Sequence, residues 1–235
     1  MTRLGRGFGV LGAMAGLLVV GCTGESRVIE SFGDSLPADG LTLLDASVEA
    51  GDLTVAGDPD ATSIEVNVDV STTRTADGKD NDAVHGVHLE LRETTDGGAL
   101  LTVWFDPDYT NYFADTTVTM PLDLALEAIV EDGDLSVDGT GAVVLDLGPG
   151  EASVTDVTGD VELIDGAGDL TIDGVLGNVL VDDGAGDIQI VGIDGDVEID
   201  DGAGDIDISK VTGDVIIRDG SGEISFDDVG SVTIE

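Results

Sequence analysis

The sequence predicts an all-β chain, a parallel β-solenoid of about 18-residue coils with two short strands per coil and an N-terminal β-hairpin insertion or cap. Three observations carry this. Gly168-Asp169-Leu170-Thr171-Ile172, Gly186-Asp187-Ile188-Gln189-Ile190 and Gly204-Asp205-Ile206-Asp207-Ile208 are one phrase returning every eighteen residues, with a looser copy midway at Gly177-Asn178-Val179, Gly195-Asp196-Val197 and Gly213-Asp214-Val215. Within each phrase apolar residues alternate, as in Val197 and Ile199 or Ile206 and Ile208, which is the periodicity of a strand with one buried face. Glycine-rich spacers such as Asp201-Gly202-Ala203-Gly204 supply the corners between strands.

The same residues could form an antiparallel meander of nine-residue units. Self-similarity is stronger at eighteen, and this favours coils stacked so that Gly166, Gly184, Gly202 and Gly220 share one column and Gly159, Gly177, Gly195 and Gly213 another. One coil cannot fold alone. Ordering its backbone costs about 1–2 kcal/mol per residue, while each inward Val or Ile returns only about 1.5–3 kcal/mol. Stacking supplies the missing burial and the strand partners.

In chain order, residues 1–21 read as a lipoprotein signal peptide: Arg3 and Arg6 precede the apolar run Val10 to Val20, too short to span a bilayer. It ends in Val19-Val20-Gly21-Cys22, which resembles the lipobox of bacterial lipoproteins and makes Cys22, the single cysteine, the expected lipid attachment site. Residues 22–40 have no periodicity and are expected to be a flexible tether. Inside that stretch Gly33-Asp34-Ser35-Leu36 matches the nucleophile motif of GDSL esterases, and Asp82-Ala83-Val84-His85 matches their DxxH. The chain lacks the amphipathic helices of that α/β fold, so catalysis by Ser35 is only a remote alternative, and no catalytic residue is assigned.

Residues 41–130 form an N-terminal β region, and Gly51-Asp52-Leu53-Thr54-Val55 within it is an early copy of the repeat phrase. Ser63 to Thr73, Val87 to Glu93 and Ala99 to Phe105 read as longer strands. The last two are joined at Thr95-Asp96-Gly97-Gly98 into a hairpin expected to cover one end of the stack. Five of the eight aromatic residues lie between Trp104 and Phe113, either as a sugar- or partner-binding patch or, the favoured reading, as a lid over the first coil. His85 and His88 stand on opposite faces of a strand and are expected to be surface residues. Residues 131–235 are the solenoid proper.

Fifty acidic against eight basic residues give a net charge of −42, and no Lys or Arg lies between Arg92 and Lys210. Such a surface repels nucleic acid and attracts cations. In the solenoid Asp165, Asp183, Asp201 and Asp219 fall in one column and Asp169, Asp187, Asp205 and Glu223 in another, with like charges about 5 Å apart.

Leu53-Thr54-Val55, the long polar hairpin, Val118-Thr119-Met120-Pro121-Leu122 and the serial GD-I-x-I and TGDV phrases are together similar to the DUF4097 family, whose members are often labelled candidate adhesins. The resemblance covers roughly residues 41–235. It implies a β-repeat fold and no catalytic residues. Turn positions that are commonly Ser or Thr in that family are Asp here. The calcium-binding nonapeptide solenoids offer a second likeness at Asp183-Gly184-Ala185-Gly186-Asp187-Ile188, but the Asp comes one position early and a glycine is missing, so their calcium cage does not carry over. A different site remains open, with Asp183, Asp187, Asp201 and Asp205 as candidate Ca²⁺ ligands.

The expected function is therefore a surface-anchored, non-catalytic lipoprotein of the cell envelope, at the outer membrane or cell surface. Its acidic solenoid would act as an adhesin-like or structural module toward an unidentified protein or surface glycan, with no cofactor required. The alternative is a Ca²⁺-dependent binding module; a GDSL-like esterase is more remote.

Overall fold

The computed structural model describes residues 27–72, 86–107 and 112–235. The signal peptide, Cys22, the Asp82-to-His85 motif and Tyr109 lie outside the described residues. Among the described residues no helix is long and apolar enough to cross a membrane.

The repeat begins with β8 (Ala125–Val130), β9 (Leu135–Thr140), β10 (Val143–Pro149) and β11 (Ala152–Val157), and continues through β12 (Val161–Ala167), β13 (Leu170–Val175), β14 (Val179–Asp183) and β15 (Ile188–Ile193). β16 (Val197–Asp201), β17 (Ile206–Val211), β18 (Val215–Asp219), β19 (Ile224–Val229) and β20 (Val232–Ile234) complete it. Odd strands build a first sheet and even strands a second, all parallel within this region. Ile188 pairs with Ile206 and Leu163 with Val181, so the eighteen-residue stacking holds and the meander does not form. The core lies between the sheets. Val197, Ile199, Ile206 and Ile208 are at most 1% exposed, whereas Glu198 is half-buried and Asp207 exposed.

The corners stack more tightly than side chains allow. A Cβ on Gly202 would sit 2.3 Å from the Gly184 carbonyl oxygen, and one on Gly204 would sit 1.7 Å from that of Gly186, so the glycine columns are required by close approach. In the first sheet a second column holds left-handed residues: Gly139, Gly174 and Gly192 at φ 71–75°, with Asp156, Lys210 and Asp228 at φ 54–57°. Pairing skips one residue at each of these places, a bulge repeated coil after coil.

The N-terminal region departs from expectation in two ways. Residues 27–37, expected as part of the tether, are β1 (Arg27–Pro37), an edge strand. It pairs antiparallel with β4 (Ser63–Thr72), and its Phe32 and Leu36 pack against the core. The tether reading looked for glycine and proline and missed the alternation of Phe32, Asp34 and Leu36 with Ser31, Gly33 and Ser35. The second departure is the coil order. β2 (Leu43–Val48) and β3 (Leu53–Asp58) form a coil that pairs on one side with β8 and β9 and on the other with β6 (Ala99–Phe105) and β7 (Tyr112–Pro121). The first coil in sequence is thus the second in space, and the chain passes it by to continue at β8.

β5 (Val87–Glu93) forms the expected hairpin with β6, closed by Thr94 N–H to Gly98 O at 2.8 Å and Gly98 N–H to Thr94 Oγ1 at 3.1 Å. This hairpin does not lie across the end of the stack. β6 joins the second sheet as a regular parallel member and β5 becomes its edge, while β1 and β4 extend the first sheet past β7. Phe105 is 9% exposed in the core and Tyr112 packs against that core, as a lid requires; Trp104 faces outward, stacked on His88 with ring centres 5.0 Å apart.

Candidate functional site

The repeated Asp of the GD phrase is a structural cap. Its carboxylate accepts the backbone N–H of the equivalent residue one coil on: Asp187 N–H donates to Asp169 Oδ1 at 3.1 Å, Asp205 N–H to Asp187 at 2.9 Å and Glu223 N–H to Asp205 at 2.9 Å. The same ladder runs earlier through Asp115, Asp52, Asp134 and Glu151. A matching ladder climbs the other corner through Asp160, Asn178, Asp196 and Asp214 at 2.7–3.0 Å. Each bond satisfies an N–H that the turn leaves without a strand partner, and a charged acceptor makes it worth about 1.5–3 kcal/mol.

Asp165, Asp183 and Asp201 behave differently. Asp183 and Asp201 end β14 and β16 and Asp165 lies at the equivalent place in β12; they pair with one another in register and are only 3% exposed, with Asp219 of β18 half-buried above them. Their inward aim follows from parity: Val179, Val181 and Asp183 occupy the same face of β14. Both oxygens of Asp165 and of Asp183, Oδ2 of Asp201 and Oδ1 of Asp219 are buried without a hydrogen-bond partner. Asp201 Oδ1 accepts Ala203 N–H at 3.1 Å. Burial pushes the Asp183 carboxyl up to about 6, helped by the charges of Asp165 and Asp201; the Ala185 and Gly184 amides oppose the shift but lie outside hydrogen-bond geometry. Asp165 and Asp201 are raised as well, again first by burial.

The four candidate Ca²⁺ ligands therefore divide. Asp183 and Asp201 stack in the interior column, while Asp187 and Asp205 stand exposed in the outer ladder, each with one oxygen already accepting a backbone N–H. Among the described residues no group of three or more His, Cys, Asp or Glu is arranged to hold a metal. Ser35 lies mid-strand in β1 opposite Glu65, exposed, without the sharp turn that presents a nucleophile. His88 Nε2 is 3.0 Å from Asp106 Oδ1.

The outer faces of the two sheets also differ. On the first sheet Thr54, Ser136, Ser153 and Thr171 stack in one outward column and line a groove of about 460 Å³ with Asp52, Asp134 and Asp169. On the second, Ile129, Val144, Ile164 and Leu180 are 42–49% exposed and step along the solenoid, with Glu127, Asp146, Glu162 and Asp182 filling the alternate places. A groove of about 230 Å³ opens beside Ile164 and Leu180. In the sequence each of these aliphatics is masked by the inward-facing ones beside it, as in Val179-Leu180-Val181, and only the register of the strands makes the four neighbours on one outer face.

Solved structures similar to this chain include a candidate cell adhesion protein from Clostridium sporogenes, 12% identical, covering 86% of this chain and 99% of that one with a TM-score of 0.42. A candidate adhesin from Parabacteroides merdae is 12% identical over 87% of this chain and 95% of that one, with a TM-score of 0.38. A candidate lipid binding protein from Parabacteroides distasonis is 14% identical over 87% and 95%, with a TM-score of 0.32. No curated protein matches the sequence. The family model described as Toastrack DUF4097 matches residues 47–234, from the end of β2 to the last strand, and the chain belongs to that family.

Proposed function

We propose that the chain is a non-catalytic module of the cell envelope, held by a lipid on Cys22 at the outer membrane or cell surface, whose acidic solenoid serves as an adhesin-like or structural interaction surface. The observation that carries this reading is the outer face of the second sheet, where four half-exposed aliphatic residues are set in fixed register among carboxylates. Such a face suits a partner presenting aliphatic and basic groups together, because area burial supplies attraction and the carboxylates select charge. It needs no cofactor.

Adhesion of cells displaying the wild type is compared with that of cells displaying Ile164→Glu with Leu180→Glu, on protein-coated and on glycan-coated surfaces. A loss of about tenfold, or about 1.4 kcal/mol, is expected on the surface that carries the partner. Equal adhesion by both proteins on every surface refutes the assignment of this face. The anchor is tested separately: labelled palmitate enters the wild type but not Cys22→Ser, and wild type released without lipid refutes it.

A further inference from the structure

Asp165, Asp183, Asp201 and Asp219 form an unbroken interior column, with six of their carboxylate oxygens buried and unpartnered. The charged groups acting on Asp183 are Asp165 and Asp201, and on Asp201, Asp219, all of one sign; the corner amides and the contact between the Asp183 and Asp201 carboxyls offset this only in part, and the carboxyls remain raised. Buried like charges without a counter-charge are among the costliest arrangements a fold can hold. Asp187 and Asp205 do not share this condition, since their carboxylates cap backbone N–H groups.

We propose that this interior column is a binding site for divalent cations of calcium's size, each ion held between the carboxylates of successive coils. Strands stack about 4.7–4.9 Å apart, so a point midway between two coils is about 2.4 Å from each level. That distance falls within the range of about 2.3–2.6 Å for calcium to oxygen and exceeds the range of about 2.0–2.1 Å that magnesium demands. Two divalent ions balance four carboxylates. Each ion lies between two acids, and a site of that kind does not require the converging group of three that the described residues lack. Gly184 and Ala185, which follow Asp183 at the corner, are exposed and carry almost no side chain. The unpartnered oxygens are sealed from solvent, so an ion, and the water that completes its coordination, enters as this corner of small residues opens. In the four coils stacked before Asp165 the same column is Leu147, Val130, Val48 and Val103, so the ions have a defined stop. The inference does not rest on the surface-module reading, and either can fail without the other.

The test titrates CaCl2, then MgCl2, into metal-free full-length protein at pH 7.5 and moderate NaCl, by calorimetry and by thermal melting at constant ionic strength. Saturable uptake of about two Ca²⁺ per chain is expected, with a melting temperature raised by roughly 10–20 °C at about a hundredfold excess over Kd and little effect of Mg²⁺. Asp183→Asn abolishes at least half of the uptake, whereas Asp187→Asn keeps it. If Asp183→Asn does not fold, Asp219→Asn at the half-buried end replaces it, and the wild-type stoichiometry remains decisive. The proposal is overturned by absence of saturable Ca²⁺ uptake, by equal responses to Ca²⁺ and Mg²⁺, or by full uptake in a folded Asp183→Asn or Asp219→Asn. Metal-free protein that melts higher as pH falls and ignores Ca²⁺ at pH 7.5 assigns the column to protons, and also overturns it.

Discussion

Asp183 and Asp187 stand four residues apart on the same corner, and both repeat every eighteen residues, yet the solenoid puts them to opposite uses. Asp187 is exposed and accepts the Asp205 N–H; Asp183 is buried with both oxygens unpartnered. Residue type and spacing are identical, so neither explains the difference. Position relative to the corner glycines does: Asp183 ends a strand on its inward parity, while Asp187 follows the turn, where a backbone N–H needs an acceptor. The outer column is stabilised by being stacked and the inner one is strained by it.

The largest way to sharpen this contrast is to place an acid in the interior where no column exists. Ile206→Asp is expected to destabilise by about 3–5 kcal/mol in urea denaturation, against a near-neutral Asp207→Asn on the exposed face. Equal losses would mean that the inward and outward faces are misassigned. Converting an inner acid to the apolar residue found earlier in its column comes next. Asp183→Val, in chelator, is expected to stabilise by about 1–4 kcal/mol, as when other buried charges give way to packed side chains; a loss of stability would show that the carboxylate has a partner.

The same column should respond to pH in the metal-free wild type. The Asp183 carboxyl is raised in the folded state from 3.8 to about 6, so the folded protein binds a proton more tightly than the unfolded chain. Its contribution to stability is complete below the unfolded value and is lost as pH rises through about 6. Melting temperature should therefore rise between pH 7.5 and pH 5, and Asp183→Val should reduce that rise.

Smaller effects belong to the outer features. Asp205→Ala removes the acceptor for the Glu223 N–H and is expected to cost about 1–2 kcal/mol, while Asp205→Asn, which keeps an oxygen there, should be almost silent. Asn178 already plays this part at the other corner, accepting the Asp196 N–H at 3.0 Å. Smallest is Lys210→Gly, at a left-handed position that glycine occupies in the coil of Gly192. It is expected to stabilise by about 0.5–1 kcal/mol.

Much of this molecule was determined by its sequence alone, because the information is local and repeated. Alternation of two set which Val and Ile face inward, the eighteen-residue period set what stacks on what, and the order of GD-I-x-I and TGDV phrases was enough to name the family. The glycine columns were legible for the same reason. Three things were decided only in the folded structure. The edge strand Arg27–Pro37 exists because β4 is there to pair with it, a partner 26 to 45 residues away in the chain that its own composition does not announce. The first coil sits between β6–β7 and β8–β9 because long-range strand pairing, not chain order, sets neighbours in a sheet. The two aspartate columns read alike in sequence and separate only when the corner closes, since burial and hydrogen bonding are properties of the stack: one carboxylate meets a backbone N–H from the next coil, and the other meets only the carboxylates above and below it.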